Sequence, residues 1–235
     1  MLSSRRHLVS GETLLSVLKP MIKVKICGLK EPETLRAAVQ AGADWIGFVF
    51  FDKSPRAVTP YSVPTLLLGI GEAVPVALMV DPDDALIDDV IGLGIRTLQF
   101  HGNETPERLS DIKARTGAEV WKALGISTRE DLAQAAKFTD AADRLLLDAK
   151  PPKGADNPGG LGEPFDWPIL AEWQAPLPWL LAGGLTPNNV GEAIAATGAG
   201  AVDVSSGVER ARGLKDTVLI RDFIKAVRSA ERVEI

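Results

Sequence analysis

Apolar runs begin near Ile22, Trp45, Val74, Ile95, Val120, Leu145, Trp179 and Ala201, at intervals of 23, 29, 21, 25, 25, 34 and 22 residues. Each interval holds a short strand and a crossover of a dozen or more residues, the length that parallel pairing requires. In the first run Ile22, Val24 and Ile26 alternate with Lys23 and Lys25, the two-residue period of a strand. Amphipathic stretches between the runs predict helices over 33–41, 84–91, 107–115, 130–136, 189–196 and 215–227. Thr105-Pro106 and Thr186-Pro187 have the chemistry of helix starts, and Gly42, Gly94 and Gly117 that of helix ends.

Strands alternating with helices at this spacing predict an α/β protein with a parallel sheet. Eight units favour closure into a single (βα)8 TIM barrel of eight parallel strands over residues 21–235, preceded by a short extension, a tail or short helix, over 1–20. The glycine signature of a dinucleotide fold is absent after the first strand, which runs into Cys27-Gly28-Leu29-Lys30.

Composition narrows the function classes. A chain of 235 residues with 46% hydrophobic content supports one substantial core. The net charge of −5 and pI near 5.2 argue against broad nucleic-acid binding, which leaves a basic footprint. One cysteine excludes an intrachain disulfide and fits a reducing cytoplasm; with two histidines it leaves little material for a metal site. No run approaches the roughly 20 apolar residues of a membrane span. The reading is of a cytoplasmic protein, monomer or homodimer.

In such a barrel the C-terminal ends of the strands form the active-site rim. Cys27 closes the first strand, where backbone N–H groups and cationic neighbours can favour the thiolate, although a free cysteine is more often a small buried hydrophobe. Ser54-Pro55-Arg56 after the second strand presents a guanidinium that suits a carboxylate. Asp81, after the third, reads as a helix cap. His101, after the fourth, is open to proton transfer or pocket lining, and Lys122 in the fifth can point either way. Asp148 follows three leucines in the sixth strand, where partly apolar surroundings favour a proton-donating carboxyl; a cap, or a partner for Lys150, is the plainer alternative. The stretch 151–162, rich in Gly and Pro, reads as a covering loop. Gly183-Gly184 after the seventh strand and Ser205-Ser206-Gly207 after the eighth offer backbone N–H groups and hydroxyls, with a short helix starting at Ser206. Loops after strands seven and eight recur as phosphate sites in these barrels.

Assembled in order, Lys25-Ile26-Cys27-Gly28-Leu29, Ser54-Pro55-Arg56, Gln99-Phe100-His101-Gly102, Leu147-Asp148, Gly159-Gly160-Leu161-Gly162 with Phe165-Asp166-Trp167, Ala182-Gly183-Gly184-Leu185 and Asp203-Val204-Ser205-Ser206-Gly207-Val208-Glu209 resemble the phosphoribosylanthranilate isomerase family of tryptophan biosynthesis. The resemblance covers residues 21 to about 230. It implies a cofactor-free Amadori rearrangement of N-(5-phosphoribosyl)anthranilate, with Asp148 as general acid and Cys27 as general base. It further implies that Arg56 holds the anthranilate carboxylate, that Gly183, Gly184, Ser205, Ser206 and Gly207 hold the phosphate, and that His101 and Asp203 belong to the substrate-binding set. Phe100 and Leu161 depart from the family's usual leucine and threonine. The aminoaldose isomerase of histidine biosynthesis performs similar chemistry with an aspartate at the end of strand one, where this chain has Cys27. A sugar-phosphate-binding barrel without catalysis would need neither Cys27 nor Asp148.

Overall fold

Eight strands close on themselves: β1 Lys23–Cys27, β2 Trp45–Phe50, β3 Val74–Met79, β4 Thr97–Phe100, β5 Glu119–Ile126, β6 Arg144–Ala149, β7 Trp179–Leu181 and β8 Ala201–Val204. All neighbours are parallel, and β8 pairs β1 in a register that sets Lys25 against Asp203 and Ile26 against Val204. This computed structural model describes residues 21–150, 166–170 and 172–231. The N-terminal extension over 1–20 and the covering loop over 151–162, with its glycine motif, lie outside the described residues.

Among the described residues seven α-helices connect or follow the strands: α1 Pro32–Ala41, α2 Val63–Leu67, α3 Asp84–Gly92, α4 Pro106–Thr116, α5 Arg129–Leu132, α6 Val190–Thr197 and α7 Thr217–Ala230. Their ends obey the expected chemistry. Thr105 accepts from Arg108 N at the start of α4, with Pro106 in its first turn, and Gly117 closes that helix in the left-handed conformation. Asp216 accepts from Val218 N and Leu219 N at the start of α7. That helix buries Ile220, Phe223, Ile224 and Val227, the spacing of one helical face. Each such side chain, fully buried, contributes about 1.5–3 kcal/mol of transfer free energy.

Three local expectations need correction, and one short helix went unpredicted. β4 starts at Thr97 because Ile95 is a buried lead-in rather than part of the ladder. The helix expected over 130–136 is α5, one turn long, followed by a 3-10 helix over Ala133–Phe138. Thr186-Pro187 does not start α6: Asn189 Oδ1 accepts from Thr186 N at 2.7 Å, which closes a turn before the helix. α2 has five residues, too few to display a period in the sequence.

Strand alternation sorts the core. A large apolar shell lies between sheet and helices, and a smaller cluster of Trp45, Val76, Trp121, Ala123, Leu146, Leu180, Ala182 and Ala201 fills the barrel. Trp45 and Trp121 meet edge to face there at 5.2 Å. At the rim end Cys27, Val49 and Leu78 form a third cluster. The polar face of β1 is thus turned into the barrel, and Lys25 is fully buried. Lys122 points outward from β5, beneath the loop after β4, with its ammonium 5.7 Å from the Phe138 ring centroid.

Candidate active site

Cys27 ends β1 and Asp148 stands next to last in β6, so a single rim carries both. Each is buried, at 3% and 7% exposure. Asp148 Oδ1 accepts from Ala149 N at 2.8 Å, and Oδ2 lies 3.5 Å from His101 Nε2. The fold therefore brings two of the sequence candidates together. Lys150 turns away to Asp131, Nζ to Oδ1 2.7 Å, so it is not the partner of Asp148. Nor is Asp81 a helix cap: Asp83 caps α3, while Asp81 sits at a φ of 45° and accepts from Asn103 N at 2.7 Å.

Burial pushes the Cys27 thiol above its ordinary value; Lys25 and Lys215 pull it back, and Asp203 adds to the push. Lys25 Nζ donates to Asp203 Oδ1 at 2.9 Å. Burial works against the charge on the lysine, but Asp203 and Cys27 more than offset this and raise it above the usual lysine value. Asp203, expected among the substrate ligands, is here engaged by Lys25.

The guanidinium of Arg56 is fixed by the carboxylate of Glu209, with Nε to Oε1 at 2.6 Å and Nη2 to Oε2 at 2.9 Å. Glu209 opens a small antiparallel hairpin, β9 Glu209–Ala211 and β10 Leu214–Lys215. Lys215 Nζ donates to Glu209 Oε1 at 2.8 Å and to Ser205 O at 2.8 Å. Burial works against the charge on Glu209, yet its bonds to Arg56 and Lys215 hold the carboxyl down to about 2. Burial outweighs the same pairing at Lys215 and brings its ammonium to about 8.

The loops after β7 and β8 interlock. Gly183 and Gly184 both take positive φ, 83° and 63°. A Cβ on Gly183 would stand 2.6 Å from Ala149 N, and one on Gly207 would collide with the Leu185 carbonyl. Ser205 Oγ donates to Cys27 O at 3.2 Å, tying the β8 loop to the end of β1, and Ser206 opens a 3-10 helix over Ser206–Val208. Among the described residues no group of three or more His, Cys, Asp or Glu could hold a metal ion.

The family model described as N-(5'-phosphoribosyl)anthranilate (PRA) isomerase matches residues 24–226, which spans every rim residue named above. The chain belongs to the phosphoribosylanthranilate isomerase family. The family's member from Hyphomonas neptunium is 59% identical over 212 residues, covering 90% of this chain and 100% of that relative. The Rhodospirillum rubrum member is 52% identical over 211 residues, covering 87% and 97%. The crystal structure of the Thermotoga maritima phosphoribosylanthranilate isomerase superposes with a TM-score of 0.80 at 34% identity, covering 89% of this chain and all of that one. A further phosphoribosylanthranilate isomerase structure, in complex with reduced 1-(o-carboxyphenylamino)-1-deoxyribulose 5-phosphate, gives 0.77 at 32%, with the same coverage.

Sequence reasoning about a phosphoribosylanthranilate isomerase chain missed Lys25, Glu209 and Lys215 as members of the rim network. For Lys25 a signal existed: it lies between Val24 and Ile26 and two residues before Cys27, hence on the same strand face as the thiol. Glu209 gave none, because its pairing with Arg56 spans more than 150 residues of chain, and Lys215 joins the network only through Glu209 and Ser205.

Proposed function

We propose that the chain isomerises N-(5'-phosphoribosyl)anthranilate to 1-(2-carboxyphenylamino)-1-deoxyribulose 5-phosphate, with Asp148 as general acid and Cys27 as general base. Asp148 gives a proton to the furanose ring oxygen as the C1′–O bond breaks, which leaves a Schiff base. Cys27 then removes the proton from C2′, and the resulting enolamine tautomerises to the ketone. One proton is given and one taken, so the net change is isomerisation. Each positioned acid or base is worth about 10²–10⁴ in rate.

The observation that carries this reading is the presence of a buried thiol and a buried carboxyl at one rim of a barrel of this family. The His101 imidazole beside Asp148 supports a positioned carboxyl. Arg56, oriented by Glu209, holds the anthranilate carboxylate. The loops of Gly183, Gly184, Ser205, Ser206 and Gly207 hold the phosphate, in keeping with the phosphorylated ligand of the solved relative.

The test follows the fluorescence of the anthranilate substrate in wild type, Cys27→Ala and Asp148→Ala. Turnover by wild type, with both folded variants down by about 10²-fold or more, supports the assignment. An inactive wild type that still binds a sugar phosphate would replace it with the binding-barrel reading. Full rate in Cys27→Ala would leave the base to another residue.

A further inference from the structure

Lys25 and Cys27 enter the barrel from the same face of β1. They share the hollow left by Gly47 on β2: a Cβ at that position would stand 2.8 Å from Cys27 Sγ and 3.1 Å from Lys25 Nζ. Lys25 is wholly buried, a position a lysine holds only when its charge is paired. Asp203 on β8 supplies the partner at 2.9 Å, and the ammonium borders the same hollow as the sulfur, on which its charge bears. An ammonium has three N–H donors, so it can bridge a carboxylate and a thiolate at once.

The charged groups that bear on the sulfur come from three elements: Lys25 on its own strand, Asp203 from β8 and Lys215 from β10. Lys215 is itself anchored by Glu209, the partner of Arg56. From β2 and β3 the thiol meets Gly47, Val49 and Leu78, none of which titrates.

We propose that Lys25 is the positioning residue for the general base: anchored by Asp203, its ammonium stabilises the proton-accepting thiolate of Cys27 against burial and exchanges no proton with substrate. The inference rests on the assignment of Cys27 as that base. Asp203 has a double part in it. It shares with the sulfur the stabilisation of the lysine's charge, and it competes with the sulfur for the same ammonium. Removing Lys25 and removing Asp203 must therefore move the thiol in opposite directions, which loss of packing at either position would not do.

The chain has one cysteine and one tyrosine, so the thiolate's ultraviolet absorbance reports on Cys27 alone once the Cys27→Ala spectrum is subtracted. Lys25→Met is expected to raise the titration midpoint by about 1–3 pH units and to move the acid limb of kcat/KM upward with it. At neutral pH kcat falls about tenfold for each unit, with KM nearly unchanged. Asp203→Asn is expected to lower the midpoint. Lys25→Met/Asp203→Asn buries neither charge, and its upward shift serves the same purpose if Lys25→Met does not fold. A midpoint that stays in place or drops when Lys25 is removed would overturn the inference, as would both single variants shifting the same way. Full activity of Cys27→Ala would instead sink the underlying assignment of the base.

Discussion

Gly28 shows how one missing methyl group places a functional side chain. Its backbone is left-handed, at a φ of 79°, and a Cβ there would stand 2.6 Å from Arg56 Cδ. Gly42 makes the matched control: its φ is 92°, and a Cβ there would meet nothing within 4 Å. Gly42→Ala is expected to cost only backbone strain, about 1–2 kcal/mol, with KM unchanged. Gly28→Ala carries the same strain and also drives Arg56 off its bonds to Glu209, so KM for the anthranilate substrate should rise about tenfold, the effect of roughly 1.4 kcal/mol of lost binding. Equal KM values in the two variants would separate Arg56 from substrate binding. The turn at Gly28 is legible in the sequence because glycine follows the last strand residue. The space it leaves is not, because the side chain that fills it comes from another loop.

Among the elements, β5 and the loops after β3 and β4 are joined through one buried carboxylate. Glu104 accepts from Asp81 N at 2.8 Å and from Gly102 N at 3.0 Å, while Lys122 Nζ donates to Glu104 Oε2 and to Gly102 O, each at 2.7 Å. This arrangement fixes the chain directly after His101, which faces Asp148. Removing one member of a buried ion pair strands the other, so Lys122→Met should cost about 3–5 kcal/mol in urea unfolding. Lys122→Met/Glu104→Gln should recover a large part of that loss, and additive losses in the double variant would disprove the coupling. The sequence left the direction of Lys122 open for a physical reason: its partners belong to a different element. The eight strands were legible because a parallel strand buried on both faces reads as an apolar run. α2 and the 3-10 half of the fifth connection escaped because they are too short to show a period. At the site the same division holds. Cys27, His101 and Asp148 were legible as strand-end residues, whereas the ion pairs that set their surroundings arise only on closure of the barrel.

Across the whole molecule, Glu209 is where barrel and hairpin are held together electrostatically. It receives Arg56 from the β2 side and Lys215 and Gly213 N from its own hairpin, and Lys215 reaches on to Ser205 at the end of β8. The carboxyl is held at about 2 in the fold against 4.5 ordinarily. Between those values the unfolded chain takes up a proton that the folded chain refuses. The contribution of Glu209 is therefore fully present above pH 4.5, declines as the pH falls through this window, and is gone below about 2. A shift of this size corresponds to roughly 3 kcal/mol by linkage. Thermal midpoints of wild type and Glu209→Gln, followed from neutral pH into acid, should thus differ most above the window and converge within it. Glu209→Gln also strands two buried cations, so its deficit at neutral pH should be large. Curves that stay parallel into acid would mean that the carboxylate contributes through its shape and hydrogen bonds alone, and that other acids govern the protein's loss of stability at low pH.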